Sequence, residues 1–301
     1  MPEGSPVGPT SSTPTTSPWP APLRAGRSSS VPERPRAYKT EGIILRRRNL
    51  GEADSIFTVL SPRQGKFDAI AKGVRKPRSR MRGHLEPLTR SRLLLARGRS
   101  LDVFTQAETI TPYRAIRDDL ERSATALYCA ELADRFTIEH ADNPGLYELM
   151  LAVLEALDLG APPGPTARYF ELQILSLMGY ELQLDCCAAC RGRLEPVETL
   201  LSPSAGGLVC ERCRAKAGAG RLLGVRAIKV LRYARNVDIA AFGEVRIDAV
   251  LANELEVAMA GVVSHFLERE PRSRHFVEAV AALPGRPNAL APEIVRSDQG
   301  P

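Results

Sequence analysis

The segment TEGIILRRRNLGEADSIFTVLSPRQGKFDAIAKGV, residues 40 to 74, predicts the fold of the front of this chain. It contains three short runs rich in β-branched and aromatic residues, which are typical of strands. The runs lie at 40–48, 54–61 and 66–74. Pro62 and Gly65 separate the second run from the third and favour a tight turn. The segment therefore indicates a small all-β unit.

Two further runs, at 91–98 and 101–110, continue the same pattern. In the second of them apolar and polar residues alternate, as expected of a strand with one face in water. Five strands in about 75 residues are the size of an OB barrel. An SH3-like barrel or a small sandwich has a similar strand count, so the count alone leaves those alternatives open.

After Pro112 the apolar residues follow a helical period. One stripe repeats every three or four residues and would form a single buried face. Its members are Leu146, Leu149, Met150, Val153, Leu154 and Leu157. Other candidate helices lie at 118–136 and 166–180, and Leu255, Met259, Val262 and Phe266 mark a later one. The predicted fold class is α+β, an N-terminal five-stranded OB barrel followed by an all-α domain.

Two cysteine pairs interrupt the helical part of the chain. Cys187 and Cys190 form one C-x2-C pair, and Cys210 and Cys213 form another after an interval of 19 residues, a spacing typical of zinc sites. Each pair can close a tight turn onto one ion, and two pairs complete a tetrahedron. Four thiolates leave no position for water or substrate, so we predict one structural Zn²⁺.

Other interpretations of the cysteines involve redox chemistry or a different ligand. Redox-active CxxC motifs and disulfides are the alternatives, but close cysteine pairs in a reducing cytoplasm are more often metal ligands. Cys186 adjoins Cys187 and could replace it; Cys187 is assigned because it gives both pairs the same spacing. Cys129 lies inside a predicted helix and is interpreted as a small core residue.

The positive charge of the chain is concentrated at the front. The 301 residues carry a net charge of +6, and 44% of them are hydrophobic, an ordinary value for a globular protein. Residues 38–111 carry +9 and residues 1–37 carry +2, whereas residues 112–301 carry −5. A strongly basic domain in front of an acidic body is suited to a one-sided contact with a polyanion.

The most basic stretch is AKGVRKPRSRMRGHLEP, residues 71 to 87, which carries six cations and no acid from Lys72 to Arg82. Its glycines and proline place it on a loop. We predict that this loop and the arginines of neighbouring strands bind nucleic-acid backbone. The candidate residues are Lys72, Arg75, Lys76, Arg78, Arg80, Arg82, Arg90, Arg92, Arg46 and Arg48. The alternative is a solvated charged face. Because the domain has few aromatic residues, we expect binding to ignore sequence and to weaken with salt, with a log-log slope of about −4 to −5.

No motif for catalysis is present in the sequence. It lacks a phosphate-cradling GxxxxGK[ST], a GxSxG elbow and a cluster of acids for Mg²⁺, and its four histidines, His84, His140, His265 and His275, are scattered. We therefore predict that the protein is not an enzyme and has no small-molecule substrate. No run of about 18 apolar residues and no secretory h-region is found, so we expect a cytoplasmic protein without membrane contact.

Residues 38 to 285 resemble, in order, the RecO family of bacterial recombination mediators. The resemblance rests on YKTEGIILRRRNLGEADSIFTVLSPRQGKFDAIAKGVRKPRSRMRGHLEPLTR, on LDVFTQAE and on the four-cysteine knuckle between helices. It implies an N-terminal OB domain, a helical domain and, in many members, a zinc site. The loop cations between residues 72 and 82 match the basic loop of the family, and the four cysteines match its zinc ligands.

The same resemblance implies a non-enzymatic role in recombinational repair through the RecF pathway. The expected activities are binding of single- and double-stranded DNA, annealing of complementary strands, and action with RecR, sometimes RecF, to load RecA onto strands coated by single-strand-binding protein. A cationic face that neutralises two backbones lowers their repulsion, so annealing would need no ATP site. The protein would then work in the bacterial cytoplasm at the nucleoid. The alternative function is a zinc-stabilised adaptor that binds RNA or an acidic protein.

These observations divide the chain into six expected parts. They are a disordered Pro/Ser/Thr-rich tail at 1–37, an OB domain at 38–112, the first part of a helical domain at 113–185, a four-cysteine zinc insertion at 186–214, the second helical part at 215–285 and a C-terminal tail at 286–301. The N-terminal tail is longer than the start expected of the family, and nothing in the resemblance maps onto it.

Overall fold

A computed structural model of the chain describes residues 36 to 281 and residue 283. Both expected tails lie outside these residues, apart from Arg36 and Ala37. The strands are β1 (Ala37–Leu50), β2 (Asp54–Ser61), β3 (Gly65–Ala71), β4 (Arg90–Ala96), β5 (Asp102–Thr111), β6 (Thr199–Ser202), β7 (Gly207–Val209) and β8 (Arg221–Leu223). The helices are α1 (Arg114–Asp118), α2 (Leu120–Phe136), α3 (Pro144–Asp158), α4 (Pro163–Leu177), α5 (Val225–Asn236), α6 (Ile239–Gly243), α7 (Ala249–Leu267) and α8 (Arg272–Ala281).

The first five strands close into a barrel in the order β1-β2-β3-β5-β4. Strand β1 is long enough to pair with β4 through its first half and with β2 through its second half, and a register shift between Ile44 and Arg46 lets it bend. Neighbours are antiparallel except β3 and β5, which are parallel. This order and closure confirm the predicted OB barrel and leave no open sheet edge.

The barrel has its own apolar core. Phe57 and Phe104 meet edge to face with ring centroids 5.8 Å apart, a favourable aromatic geometry. Around them lie the fully or almost fully buried side chains of Ile44, Val59, Phe67, Leu93 and Leu95.

Strand β3 ends at Ala71, three residues before the end of the predicted run. The chain leaves the sheet there, and Val74 packs against the core instead of continuing the strand.

The helical domain is built around the predicted stripe. Leu146, Met150, Val153, Leu154 and Leu157 are fully buried, and Leu149 is partly buried against the same core. The stripe is therefore confirmed as core. Helices α1, α5, α6 and α8 were missing from the sequence analysis; α1 and α6 have only five residues each, too few to display a helical period.

A three-stranded sheet in the order β7-β6-β8 occupies the interval between and after the cysteine pairs. Its strands have three or four residues each, too short for an alternating pattern to stand out in the sequence. Strand β8 pairs with β6 and lies beyond residue 214, where the sequence analysis ends the insertion. The domain is thus helical with a small β-knuckle.

Barrel and helical domain share one core and one buried cation. Ile43, Leu45 and Leu60 of the barrel belong to the same apolar cluster as the α3 stripe. Lys66, at the start of β3 and only 8% exposed, donates through Nζ to the backbone oxygen of Thr137 at 2.7 Å and to Asp134 Oδ1 at 3.1 Å. These acceptors lie at the C-terminal end of α2, where the helix dipole favours a positive charge.

A glycine makes the same junction possible. Gly65 has a φ of +61°, and a Cβ there would lie 2.0 Å from the backbone oxygen of Ala141. Any side chain would push the helical domain away from the β2–β3 turn, so the turn requires glycine at this position.

Among the described residues, one helix, α7, is long and apolar enough by length and composition to cross a membrane, with a mean hydropathy of 1.3. Its Leu255, Met259 and Val262 are almost fully buried in a core shared with α5 and the knuckle. Packing in the helical domain therefore accounts for its apolar composition.

Replacing Lys66 by Met should destabilise the protein by about 2 to 4 kcal/mol, because Asp134 and the carbonyls at the end of α2 would lose a buried donor. Urea unfolding followed by circular dichroism measures the change. The control is Arg63→Met, an exposed cation on the β2–β3 turn, which should stay within about 0.5 kcal/mol of the native protein. Equal effects of the two substitutions would show that the Lys66 contacts do not stabilise the junction.

Candidate nucleic-acid interface and metal centre

The basic loop, residues 72 to 89, joins β3 to β4 and is held down by its apolar residues. Val74 and Leu85 are fully buried in the barrel core, and Met81 packs partly against it. Leu85 ends a short 3-10 turn, Arg82–Leu85. Because these three side chains turn inward, the cations between them are held at the surface.

Polar contacts fix the loop at both ends. At its start, the backbone N–H of Gly73 donates to Asp54 Oδ1 at 2.7 Å, and Arg75 Nη1 donates to the Gly51 carbonyl at 2.9 Å. At its end, His84 Nδ1 accepts the backbone N–H of Thr109 on β5 at 3.2 Å. His84 and Arg75 therefore have structural partners, and the loop has a defined position on the barrel.

The structure separates the ten predicted nucleic-acid residues into two groups. Each of the strand arginines meets a carboxylate. The pairs are Arg46 with Asp134 at 3.2 Å, Arg48 with Asp68, Arg90 with Glu41 at 3.2 Å and Arg92 with Glu108 at 3.0 Å. The loop cations Lys72, Lys76, Arg78, Arg80 and Arg82 are exposed and have no ion pair with any residue that the structure describes. Arg75 lies between the groups, since it is exposed but bonded to Gly51.

The strand register places three loops at one end of the barrel. Ser55, after the β1–β2 turn, lies opposite Ala71, the last residue before the basic loop. Asp102, after the β4–β5 loop, lies opposite Ala69. The β4–β5 loop brings two arginines that the candidate set lacked: Arg97, over the ring of Tyr38 at 4.9 Å, and the exposed Arg99. Both arginines belong to the basic N-terminal domain in the sequence, but only the strand register shows that they lie at the same end of the barrel as the basic loop.

A groove of about 530 Å³ runs between the basic loop and strands β4 and β5. Its charged lining consists of Lys39, Arg80, Arg92 and Glu108, and its floor includes Leu93 and Leu94. Arg92 pairs with Glu108 at 3.0 Å, so Lys39 and Arg80 are the cations of this lining that have no ion pair with a described residue.

The structure brings together Cys187, Cys190, Cys210 and Cys213, whose Sγ atoms all lie within 4.8 Å of one another. Cys186 lies outside this group and pairs with Arg193 through its backbone. Cys129 is buried in α2, and burial raises the pKa of its thiol. The four clustered sulfurs are the ones that could hold a metal ion.

The sulfurs of the cluster are not equivalent. Burial raises the pKa of the Cys187 thiol, but backbone N–H groups of Cys190, Cys210 and Ala189 outweigh it and bring that pKa down to about 6. Hydrogen bonds with the Cys190 and Cys210 thiols raise the pKa of Cys213 to about 12. Four thiolates this close repel one another, and a divalent cation with tetrahedral coordination is the group that would stabilise them together.

The fold and the cluster define the chain as an OB-fold protein whose helical domain carries a candidate four-cysteine metal site. Two family descriptions match it: "Recombination protein O N terminal" over residues 36–113 and "Recombination protein O C terminal" over residues 117–275. The chain belongs to the RecO family.

Several relatives named "DNA repair protein RecO" match most of the chain. The protein from Dehalococcoides mccartyi is 37% identical over 247 residues, which are 82% of this chain and 97% of the relative. The protein from Roseiflexus sp. is 40% identical over 253 residues, 83% and 88% of the two chains. The protein from Moorella thermoacetica is 35% identical over 265 residues, 86% and 99%.

Replacing Cys187 by Ser should remove the bound metal, whereas Cys186→Ser should retain about one ion per chain, because the Cys186 sulfur lies outside the cluster. Metal content after purification under reducing conditions, measured by mass spectrometry of the elements, distinguishes the two variants. Loss of metal from both, or from neither, would contradict the assignment of the ligands.

Proposed function

We propose that this protein is a non-enzymatic DNA repair protein of the RecF recombination pathway. It binds single- and double-stranded DNA without sequence preference and anneals complementary strands. One observation carries the proposal: five loop cations without a carboxylate partner among the described residues lie at the barrel end where the β1–β2 and β4–β5 loops also meet. The names of the relatives, which describe them as DNA repair proteins, support DNA as the polyanion.

The chemistry of the basic loop explains why the contact is with the backbone. Arg78, Arg80 and Arg82 carry planar guanidinium groups that match phosphate oxygens, and Lys72 and Lys76 add point charges. The loop is already fixed by Val74, Leu85 and His84, so little backbone entropy is lost on binding. Phe57 and Phe104 are buried in the barrel, and the half-buried ring of Tyr38 is covered by Arg97, so little aromatic surface is open for stacking. Binding is therefore electrostatic and independent of base sequence.

The four-cysteine cluster holds one structural Zn²⁺ in this proposal. The support is chemical, because four thiolates in a tetrahedron suit zinc and leave no open position. The apolar cluster beside the sulfurs contains only Cys187, Leu200, Val209 and Ala217 as buried members among the described residues, so the knuckle has little core of its own. Zinc therefore stabilises the knuckle and takes no part in chemistry.

The partners follow from membership of the family. We place the protein in the bacterial cytoplasm at the nucleoid, acting with RecR, and sometimes RecF, to load RecA onto DNA coated by single-strand-binding protein. No small-molecule substrate and no membrane enters this scheme.

Neutralising the loop in the variant Lys76→Gln, Arg78→Gln, Arg80→Gln should weaken binding of single-stranded DNA about tenfold or more at low salt and lower the log-log salt slope by about 2. Arg75 is left unchanged because it anchors the loop on Gly51. Fluorescence anisotropy and the annealing rate of two complementary oligonucleotides, each measured against salt, give the readouts.

The matched control is Arg63→Gln, Arg114→Gln, Lys229→Gln, which removes the same charge from exposed positions on the β2–β3 turn, α1 and α5, outside the basic loop. It should retain the annealing rate within about twofold. Equal losses of binding and annealing in both variants would show that these activities depend on the net charge of the protein and not on the basic loop. Strong preference for RNA of equal length in competition would favour the RNA adaptor instead.

A further inference from the structure

A second cationic surface lies on the metal knuckle, far along the chain from the basic loop. The two cysteine turns, residues 187–193 and 210–216, carry five cations and one acid. The cations are Arg191, Arg193, Arg212, Arg214 and Lys216, here called the knuckle patch, and all five are exposed. Glu195 and Glu198 lie between the turns, so residues 187–216 together carry a net charge of +2, whereas residues 112–301 as a whole carry −5.

The geometry of the cluster brings the two turns side by side. Their four sulfurs lie within 4.8 Å of one another, and the Nη2 of Arg212 on the second turn lies 3.8 Å from where a Cβ of Gly192 on the first turn would be. The knuckle patch is therefore one surface at the tip of the knuckle, and a bound metal would hold its two halves together.

Most of the knuckle patch is free to meet an anion. Arg214 pairs with Glu211 at 3.4 Å in an exposed contact. The other four cations have no ion pair with any residue in the described part of the chain. In this they resemble the loop cations of the barrel and differ from the paired strand arginines.

The sheet of the knuckle directs the patch away from the helical body. Leu201 and Leu208, paired on one face, belong to the apolar core shared with α5 and α7. Leu200 and Val209, paired on the other face, pack beside Cys187. Arg221 pairs with Leu201 and so belongs to the helical face, outside the knuckle patch.

We propose that the knuckle patch is a second site for nucleic-acid backbone, separate from the basic loop of the barrel. Its turns contain no aromatic residue, so the site takes phosphates and reads no bases. The inference rests on the proposed function: the basic loop holds one strand, and the knuckle patch takes the second strand during annealing. Each site neutralises part of the charge on its own strand, so the two strands repel each other less.

The cations of the patch have one competing explanation. A divalent ion with four thiolates leaves a net charge of −2, which Arg191 and Arg212 could offset without any external ligand. The two explanations differ in what neutralising the patch removes: second-strand capture in one case, bound metal in the other.

The test uses full-length protein with its metal and the variant Arg193→Gln, Arg212→Gln, Lys216→Gln. Affinity for a first labelled oligonucleotide should stay within about twofold, because the basic loop is intact. Capture of a second strand by that complex, followed by energy transfer between labels, should fall about tenfold at low salt, and its log-log salt slope should fall by about 2. The matched control is Arg221→Gln, Lys229→Gln, Arg246→Gln, which should capture the second strand normally.

The outcomes separate this inference from the proposed function. Loss of first-strand binding in the loop variant tests the barrel, and loss of second-strand capture alone tests the knuckle patch. Equal second-strand capture in the knuckle and control variants overturns the inference. So does loss of bound metal from the knuckle variant with capture restored by added Zn²⁺. Photocrosslinking of the native protein gives an independent check: adducts within residues 187–216 should form only when the second strand is present.

Discussion

The architecture depends on the burial of one ammonium group. Lys66 starts β3, and its Nζ lies among the last carbonyls of α2 and the carboxylate of Asp134. The Arg46–Asp134 ion pair, the bond from the His140 N–H to the Lys66 carbonyl, and apolar contacts through Ile43, Leu45 and Leu60 join the barrel to the helical domain beside this anchor. The hydrogen bonds of Lys66 are directional and therefore select one orientation of the barrel on the helices.

That orientation decides where the basic end of the barrel lies. Strand β3 begins at the junction with Lys66 and ends at Ala71, where the basic loop begins. The seven residues of the strand therefore separate the buried Lys66 from the basic loop by about 20 Å. The junction is at one end of β3, and the loops that carry free cations are at the other. The free cations of the loop lie between residues 72 and 82, before Leu88 and Thr89 bring the end of the loop back to the helical domain.

Much of the fold and the position of the cysteine cluster could be predicted from the sequence, because they follow from short-range patterns. The five barrel strands, the α3 stripe and the spacing of the four cysteines are periodic or motif-based features. The pairing state of the arginines could not be predicted, since Arg48 and Arg78 look alike in sequence and only the register brings Asp68 beside Arg48. The role of Lys66 was missed for the same reason, as its acceptors lie about 70 residues away in the chain. Strands β6 to β8 were missed because three or four residues carry no period.

The distribution of charge also bears on how the proposed annealing reaction could release its duplex product. A duplex carries one negative charge per about 1.7 Å of helix axis, so a uniformly basic protein would hold the annealed duplex more tightly than either strand. In the proposed scheme the strands meet two small groups of exposed, unpaired cations, five on the basic loop and four on the knuckle patch, and residues 112–301 carry a net charge of −5. Each surface can neutralise only a few phosphates, and a duplex that extends beyond them meets repulsion from the body. In the proposed annealing reaction, two such small groups would draw the strands together while the affinity for the finished duplex stays limited.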